Sequence, residues 1–228
     1  PQTPNPKPQT PNPKPRVRFI FSGSKNNINK CPLIFQLFNK LFEYLQKDEF
    51  KVLTAVETGM HNHEWVPMKV IERIAKLRSA SAYKVIQLLL KYKLVSHTGK
   101  GMDAYKLQNI GYDFLALRGF RKSGAVKTIE MRIGVGKESD IYLCRSEDSK
   151  LVIMKLSRLG RTSFRTVKNN RDYIQGRSHY NWLLLSKLAT TREFIYMQAC
   201  YEKGFPVPIP VIQNRHGMIM SFINGFPL

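Results

Sequence analysis

The chain has 228 residues, 43% of them hydrophobic, which is enough to bury a core in each of two modules. Lys and Arg number 37 against 16 Asp and Glu, and the net charge of +21 favours a polyanion such as RNA over an acidic small molecule, with plain surface solvation as the competing explanation. Cys31, Cys144 and Cys200 form neither a disulfide framework nor a zinc pattern, and His61, His63, His97, His179 and His216 lack metal-ligand spacing, so a reducing compartment and ordinary histidines are expected.

In chain order, Pro-Gln-Thr-Pro-Asn-Pro-Lys at 1–7 repeats unchanged at 8–14 and reads as an extended, unpacked tail. Residues 16–30 are weakly patterned, and Ile34, Leu37, Phe38, Leu41, Phe42 and Leu45 then recur at helical spacing. That helix is too short and too polar to cross a bilayer, nothing before it resembles a signal peptide, and no membrane role is expected. From Asp48 a clear helix carries Phe50, Leu53, Val56 and Met60 on one stripe, with Gly59 as a stop. A second helix over 67–77 places Pro67 in its first turn and Val70, Ile71, Ile74 and Leu77 inward, and Ser79-Ala80-Ser81 reads as a turn and cap. The third helix runs to Lys91 with Tyr83, Ile86, Leu89 and Leu90 inward and Ser81, Lys84, Gln87 and Lys91 outward.

Two short strands, Leu94 to His97 and Ala104 to Leu107, follow around a Gly-rich connection, and three helices with a hairpin make a winged helix-turn-helix. Its third helix and wing offer Arg78, Lys84, Lys91, Lys93 and Lys100 as a candidate nucleic-acid surface, with shape-driven RNA contact favoured over base readout. Docking of a protein on the same face is an equal alternative. A further helix, about Ile110 to Lys122, with Tyr112, Leu115 and Phe120 on one side, joins this module to the next.

Ile133-Gly134-Val135-Gly136-Lys137-Glu138-Ser139 leads into a return strand, and Leu151-Val152-Ile153-Met154 then ends on Lys155. A strand, a Gly-x-Gly turn, a return strand and a third strand delivering one cation is the nucleotide-binding order of protein kinases, in which backbone N–H groups cover the phosphates. A Walker-type loop fits worse, because Met131 stands where its first glycine belongs and Glu138 where Ser or Thr should follow Lys137. By itself the Gly-x-Gly pair favours an ordinary hairpin turn, and it is the strand and lysine that follow which reverse that preference.

Beyond Lys155 lies a stretch dominated by Arg158, Arg161, Arg165, Lys168, Arg171 and Arg177, opposed by Asp172 alone, which reads as a functional basic loop. Between Trp182 and Lys203 one long helix is expected, with Leu184, Leu188, Phe194, Met197 and Cys200 on or near one face. Glu193 adjoins that stripe and is the candidate partner for Lys155. Phe205 to Pro210 forbids helix, and Gly217 to Met220 forms a strand that runs into Ser221-Phe222-Ile223.

Taken together, the Gly134 to Ser139 loop, with Ser139 where conventional kinases have a third glycine, the run Lys155 to Arg165 and the run Lys168 to Tyr173 resemble the RIO family of atypical serine/threonine protein kinases, in the subfamily with an N-terminal winged helix. The resemblance implies an α+β fold: a winged helix-turn-helix domain followed by the N-terminal lobe of a kinase-like fold, its antiparallel sheet and helix, with the C-lobe missing. The expected divisions are 1–33 as a low-complexity extension, 34–125 as the winged-helix domain with its preceding helix, and 126–228 as the kinase N-lobe up to the hinge.

It further implies ATP held by Gly134, Gly136, Lys137, Glu138, Ser139, Lys155, Glu193, Met220, Ser221 and Ile223, with Met220 beside the base and the main chain of Ser221 and Ile223 on the adenine edge. The subfamily usually has Glu where Ser221 stands. Arg158, Arg161, Arg165, Lys168 and Arg171 map to a loop near the ATP site implicated in substrate or ribosomal contacts. No aspartate follows Asp172, so the resemblance places the catalytic and metal-binding aspartates in the absent lobe, together with the Mg²⁺ ligands, and these 228 residues alone are expected to be inactive. Implied partners are the pre-40S particle and its 18S rRNA precursor, for a monomer that is cytoplasmic with nuclear shuttling. A catalytically dead nucleic-acid or ribosome-binding adaptor, or a competitor for the ribosomal site, are the alternatives.

Overall fold

The computed structural model describes residues 44–99, 101–160 and 181–225. The helix expected over 34–45 therefore lies almost wholly outside the described residues. Helix α1 (Lys47–Gly59) opens with Asp48 and Glu49, acids placed where the helix dipole favours negative charge, and buries Phe50, Val52, Leu53, Ala55 and Val56. Helix α2 (Met68–Ala75) starts one residue later than expected. Pro67 stands just ahead of it in an extended conformation, because Val66 and Pro67 form strand β1 (Val66–Pro67) against Tyr105 and Ala104.

Helix α3 (Ser79–Lys91) begins where a turn was expected, so Ser79 to Ser81 are its first turn and the Ser79 hydroxyl donates to Glu72 at 2.9 Å. Its buried stripe is Ala82, Val85, Ile86 and Leu89. Tyr83, expected inward, is 53% exposed, because it sits about 100° around the helix from Ala82. Strands β2 (Val95–Thr98) and β3 (Ala104–Leu107) form the wing, and the three-stranded sheet has the order β1-β3-β2.

Helix α4 (Asn109–Lys122) is buried on nearly every side, from Gly111 to Leu117 and again at Phe120, since it is covered by both modules. At Gly111 a Cβ would fall 2.3 Å from the Leu94 carbonyl oxygen, and this closeness seats the helix on the winged-helix core.

The second module is an antiparallel five-stranded sheet of order β4-β5-β6-β8-β7. Its strands are β4 (Thr128–Val135), β5 (Ser139–Arg145), β6 (Leu151–Ser157), β7 (Pro210–Asn214) and β8 (Gly217–Ser221). Strand β7 was not foreseen. Its proline-rich approach masked it, but Pro210 is the first residue of an edge strand, where a missing N–H is tolerated. Helix α5 (Trp182–Glu202) lies on this sheet, capped by the Asn181 side chain, which accepts from the Leu184 N–H at 2.7 Å. Its buried residues are Leu185, Ser186 and Thr190, with Phe194 and Met197 packed on Ile153, Met218 and Met220. The expected stripe through Leu184, Leu188 and Cys200 is thus rotated, because two hydroxyl groups share the buried face with the apolar residues.

One apolar cluster runs from Leu45 and Val56 through Phe114 and Phe120 to Val152 and Ile219, so the two modules share a core. A bidentate pair reinforces the junction, with Arg215 Nε and Nη2 each 2.8 Å from a Glu57 carboxylate oxygen. Among the described residues, no helix is long and apolar enough to cross a membrane.

Candidate functional site

Strands β4 and β5 pair Gly134 with Ile141 and Val135 with Asp140, leaving residues 136–138 as the connecting loop. The Gly136 N–H donates to the Ser139 carbonyl at 2.7 Å and closes it. Neither Gly134 nor Gly136 is left-handed, and a Cβ there would meet its nearest neighbours at 3.6 Å and 3.4 Å. The chain's own backbone and packing therefore do not demand these glycines, which is the pattern expected where the space belongs to a ligand. Lys137 is exposed at the tip, and the Glu138 carbonyl accepts from the Arg158 N–H at 2.6 Å.

Lys155 stands opposite Ile141 on one side and Met218 on the other, in the middle of the sheet. Its ammonium forms an ion pair with Glu193 of α5, the pairing expected from the sequence. The lysine side chain is 18% exposed, so the pair lines an accessible face rather than the core. One turn before Glu193, the Thr190 hydroxyl lies 2.7 Å from the Ser157 hydroxyl and 2.9 Å from the His216 carbonyl. That buried knot sets the height of α5 against β6 and hence the reach of Glu193.

Met220 is buried between Ile153 and the α5 side chains Phe194 and Met197, at the inner end of the strand that leads to Ser221. Ser221 is engaged with Ile209. Its N–H donates to the Ile209 carbonyl at 2.9 Å, and its hydroxyl accepts from the Ile209 N–H at 2.9 Å. The serine closes the β7 end of the sheet, so its N–H is not available to an adenine edge. Ile223, in the segment past β8, is 59% exposed.

Arg158 is a correction. Expected on a basic surface, it is instead largely covered just past the end of β6, where its fork grips Asp113 of α4 at 2.5 and 2.7 Å and its Nε donates to Asp140 at 3.0 Å. Burial opposes its charge, but Asp113 above all, with Tyr142 and Asp140, more than offsets this and raises its pKa. Burial alone would push Asp113 up, yet Arg158 and His216 hold it below the ordinary carboxylate range. Burial lowers the pKa of His216 despite Asp113 beside it, so the ring is neutral. Its Nε2–H then donates to Asp113 at 2.7 Å, its Nδ1 is buried without a partner, and its face stacks on Tyr112 at 4.4 Å. Tyr142, beside the cluster, is pushed up to about 12 by burial and by Asp140.

The sequence carried a signal for this cluster. Asp113 lies between Tyr112 and Phe114 in a helix apolar on both flanks, and a carboxylate so placed needs a cation. Arg161, Arg165, Lys168 and Arg171 lie outside the described residues, as does Lys100. Arg78, Lys84, Lys91 and Lys93 are exposed, with Lys84 and Lys91 two turns apart on α3.

A winged helix fused to a five-stranded lobe with a lysine–glutamate pair beneath a glycine loop defines the amino-terminal half of a kinase-type protein. The chain matches the family model of the Rio2 N-terminal domain over residues 42–123 and that of the RIO domain over residues 140–228. It is 51% identical to the serine/threonine-protein kinase rio2 of Dictyostelium discoideum over 189 residues, which are 83% of this chain and 36% of that protein. It is 45% identical to the rio2 kinase of Schizosaccharomyces pombe over 190 residues, 83% of this chain and 55% of that one. Among solved structures it resembles the Rio2 kinase of Chaetomium thermophilum in its ADP/Mg²⁺-phosphoaspartate complex, with a TM-score of 0.71 and 43% identity, covering 82% of this chain and 55% of that chain. The chain belongs to the RIO family of serine/threonine kinases, in its Rio2 branch. It spans between about a third and about half of the length of these relatives.

Proposed function

We propose that these residues bind ATP between the Gly134–Ser139 loop and Lys155, as the nucleotide-holding half of a Rio2-type serine/threonine kinase or ATPase acting in maturation of the small ribosomal subunit. The observation that carries the reading is the Lys155–Glu193 ion pair on the open face of the sheet beside the loop. Held there, the ammonium neutralises phosphate charge while the loop's amides cover the phosphate oxygens. Met220 closes the inner end of the base site, and the main chain of Ile223, with the Ser221 carbonyl, meets the adenine edge. The solved Chaetomium relative contains ADP and Mg²⁺ with a phosphoaspartate, in keeping with phosphoryl transfer to a carboxylate.

The 228 residues hold no aspartate beyond Asp172, and among the described residues no three His, Cys, Asp or Glu side chains gather as a metal site. In this reading the carboxylates that would hold Mg²⁺ and carry the transfer belong to the catalytic lobe of a Rio2-type kinase, and the residues described supply the nucleotide-holding half. The exposed cations Arg78, Lys84, Lys91 and Lys93, with the charge of +21, suit the rRNA of a pre-40S particle. The protein acts there as a cytoplasmic monomer that also enters the nucleus. In sucrose gradients, tagged protein is expected to travel with small-subunit precursors and to leave them as salt is raised; migration only at the top of the gradient at every salt concentration would contradict the ribosomal part of the reading.

A further inference from the structure

The ion cluster around Arg158 joins side chains from four pieces of chain. Asp113 comes from α4, within the Rio2 N-terminal match. Asp140 follows the glycine loop by one residue of β5, Arg158 lies just past the lysine strand and three residues after Lys155, and His216 sits in the β7–β8 turn. The backbone around the cluster is bonded to the same parts: the Arg158 N–H reaches Glu138 in the loop at 2.6 Å, and the His216 carbonyl takes the Ser157 N–H at 2.8 Å and approaches Thr190 of α5 at 2.9 Å.

These bonds have a direction. The Asp113 carboxylate engages both terminal nitrogens of the guanidinium, which fixes its plane as well as its position. The third nitrogen then fixes Asp140, and the fixed main chain of residue 158 fixes Glu138. Asp113 touches no part of the proposed nucleotide site, yet it stands at the start of a rigid line that ends in the phosphate-covering loop. A salt bridge with side chains 12% and 5% exposed is also little screened by solvent.

We propose that Asp113, and through it the winged-helix domain, is a positioning element for the nucleotide: acting through Arg158, it holds the tip of the glycine loop, Lys137 and Glu138, at the height that lets its amides meet the phosphates. The proposal rests on the ATP reading given above. It differs from a purely structural role in what it disturbs, because the loop meets phosphates, whereas the base is held by the end of β8. Loosening the loop therefore weakens nucleotides in proportion to their phosphates and spares the nucleoside.

The test is calorimetric titration of the full chain with ATP, ADP and adenosine, for wild type, Asp113→Asn and Arg158→Lys. The first removes the charge and keeps the shape. The second keeps a cation for both aspartates but loses the fork, and it stands as the informative variant should Asp113→Asn fail to fold. ATP and ADP are expected to bind about tenfold or more weaker in each folded variant, with adenosine unchanged. Unchanged ATP affinity, or an equal loss for ATP and adenosine, overturns the proposal. Wild-type protein that binds none of the three ligands instead removes the ATP reading itself.

Discussion

If the proposed function holds, Lys155→Ala is expected to lower ATP-dependent turnover, read in a chain completed with a Rio2-type catalytic lobe, by about 10²–10³-fold, the usual effect of deleting one preorganised group that stabilises developing charge. Folding should hardly change. The side chain is 18% exposed and its partner Glu193 39%, so the pair is not a buried ion pair whose rupture strands a charge, and a loss of more than about 1 kcal/mol in chemical denaturation is not expected. The sheet around it is held by Ile153, Met154 and Leu156, which the substitution leaves in place. Turnover within about twofold of wild type, or collapse of the fold with no separable effect on turnover, would show that the lysine is not the phosphate partner.

Asp113→Ala has the opposite profile, because here the charge is stranded. Removing it leaves the Arg158 guanidinium in the junction with Asp140 as its remaining carboxylate partner, and about 3–5 kcal/mol of stability should be lost. The same cluster makes stability depend on pH. His216 is neutral when folded and takes up a proton once released below about 6.5, so the unfolded chain binds more protons and stability falls as pH drops from 6.5 toward the lowered folded value. Asp113 acts in the same sense further down, from 3.8 toward its own lowered value. Each group contributes a slope of up to about 1.4 kcal/mol per pH unit within its window. His216→Gln should flatten the upper step and keep the acid step. Denaturation midpoints that are level between pH 7 and pH 5 in wild type, or an unaltered slope in the variant, would contradict the assignment.

Much of this architecture was legible because it was written in periodicity and spacing. The helical stripes of α1 and α4, the wing between Val95 and Leu107, and the order of loop, lysine and glutamate all depend on local pattern, and the Lys155–Glu193 pairing across 38 residues needed only one acid beside one apolar face. What escaped depends on tertiary placement. Strand β7 is held as a strand by β8 despite its proline, and Tyr83 faces outward because Ala82 and Val85 set the phase of α3. Arg158 sits in a run of cations that looks uniformly solvated, and only the position of α4 against the sheet turns it from a surface charge into the centre of the junction. The Ile209 contacts of Ser221 were illegible for a related reason: which side of a strand end is already paired is settled by its neighbour.

The central claim is that the glycine loop and Lys155 address one nucleotide, and amide NMR of the isotopically labelled chain titrated with ATP tests it most directly. The account predicts shifts concentrated on Gly134, Gly136, Lys137, Glu138, Ser139, Lys155 and Ile223, saturating together and reduced in Lys155→Ala. Shifts confined to the Arg78, Lys84, Lys91 and Lys93 face of the winged helix, with the loop unmoved at saturating ATP, would contradict it.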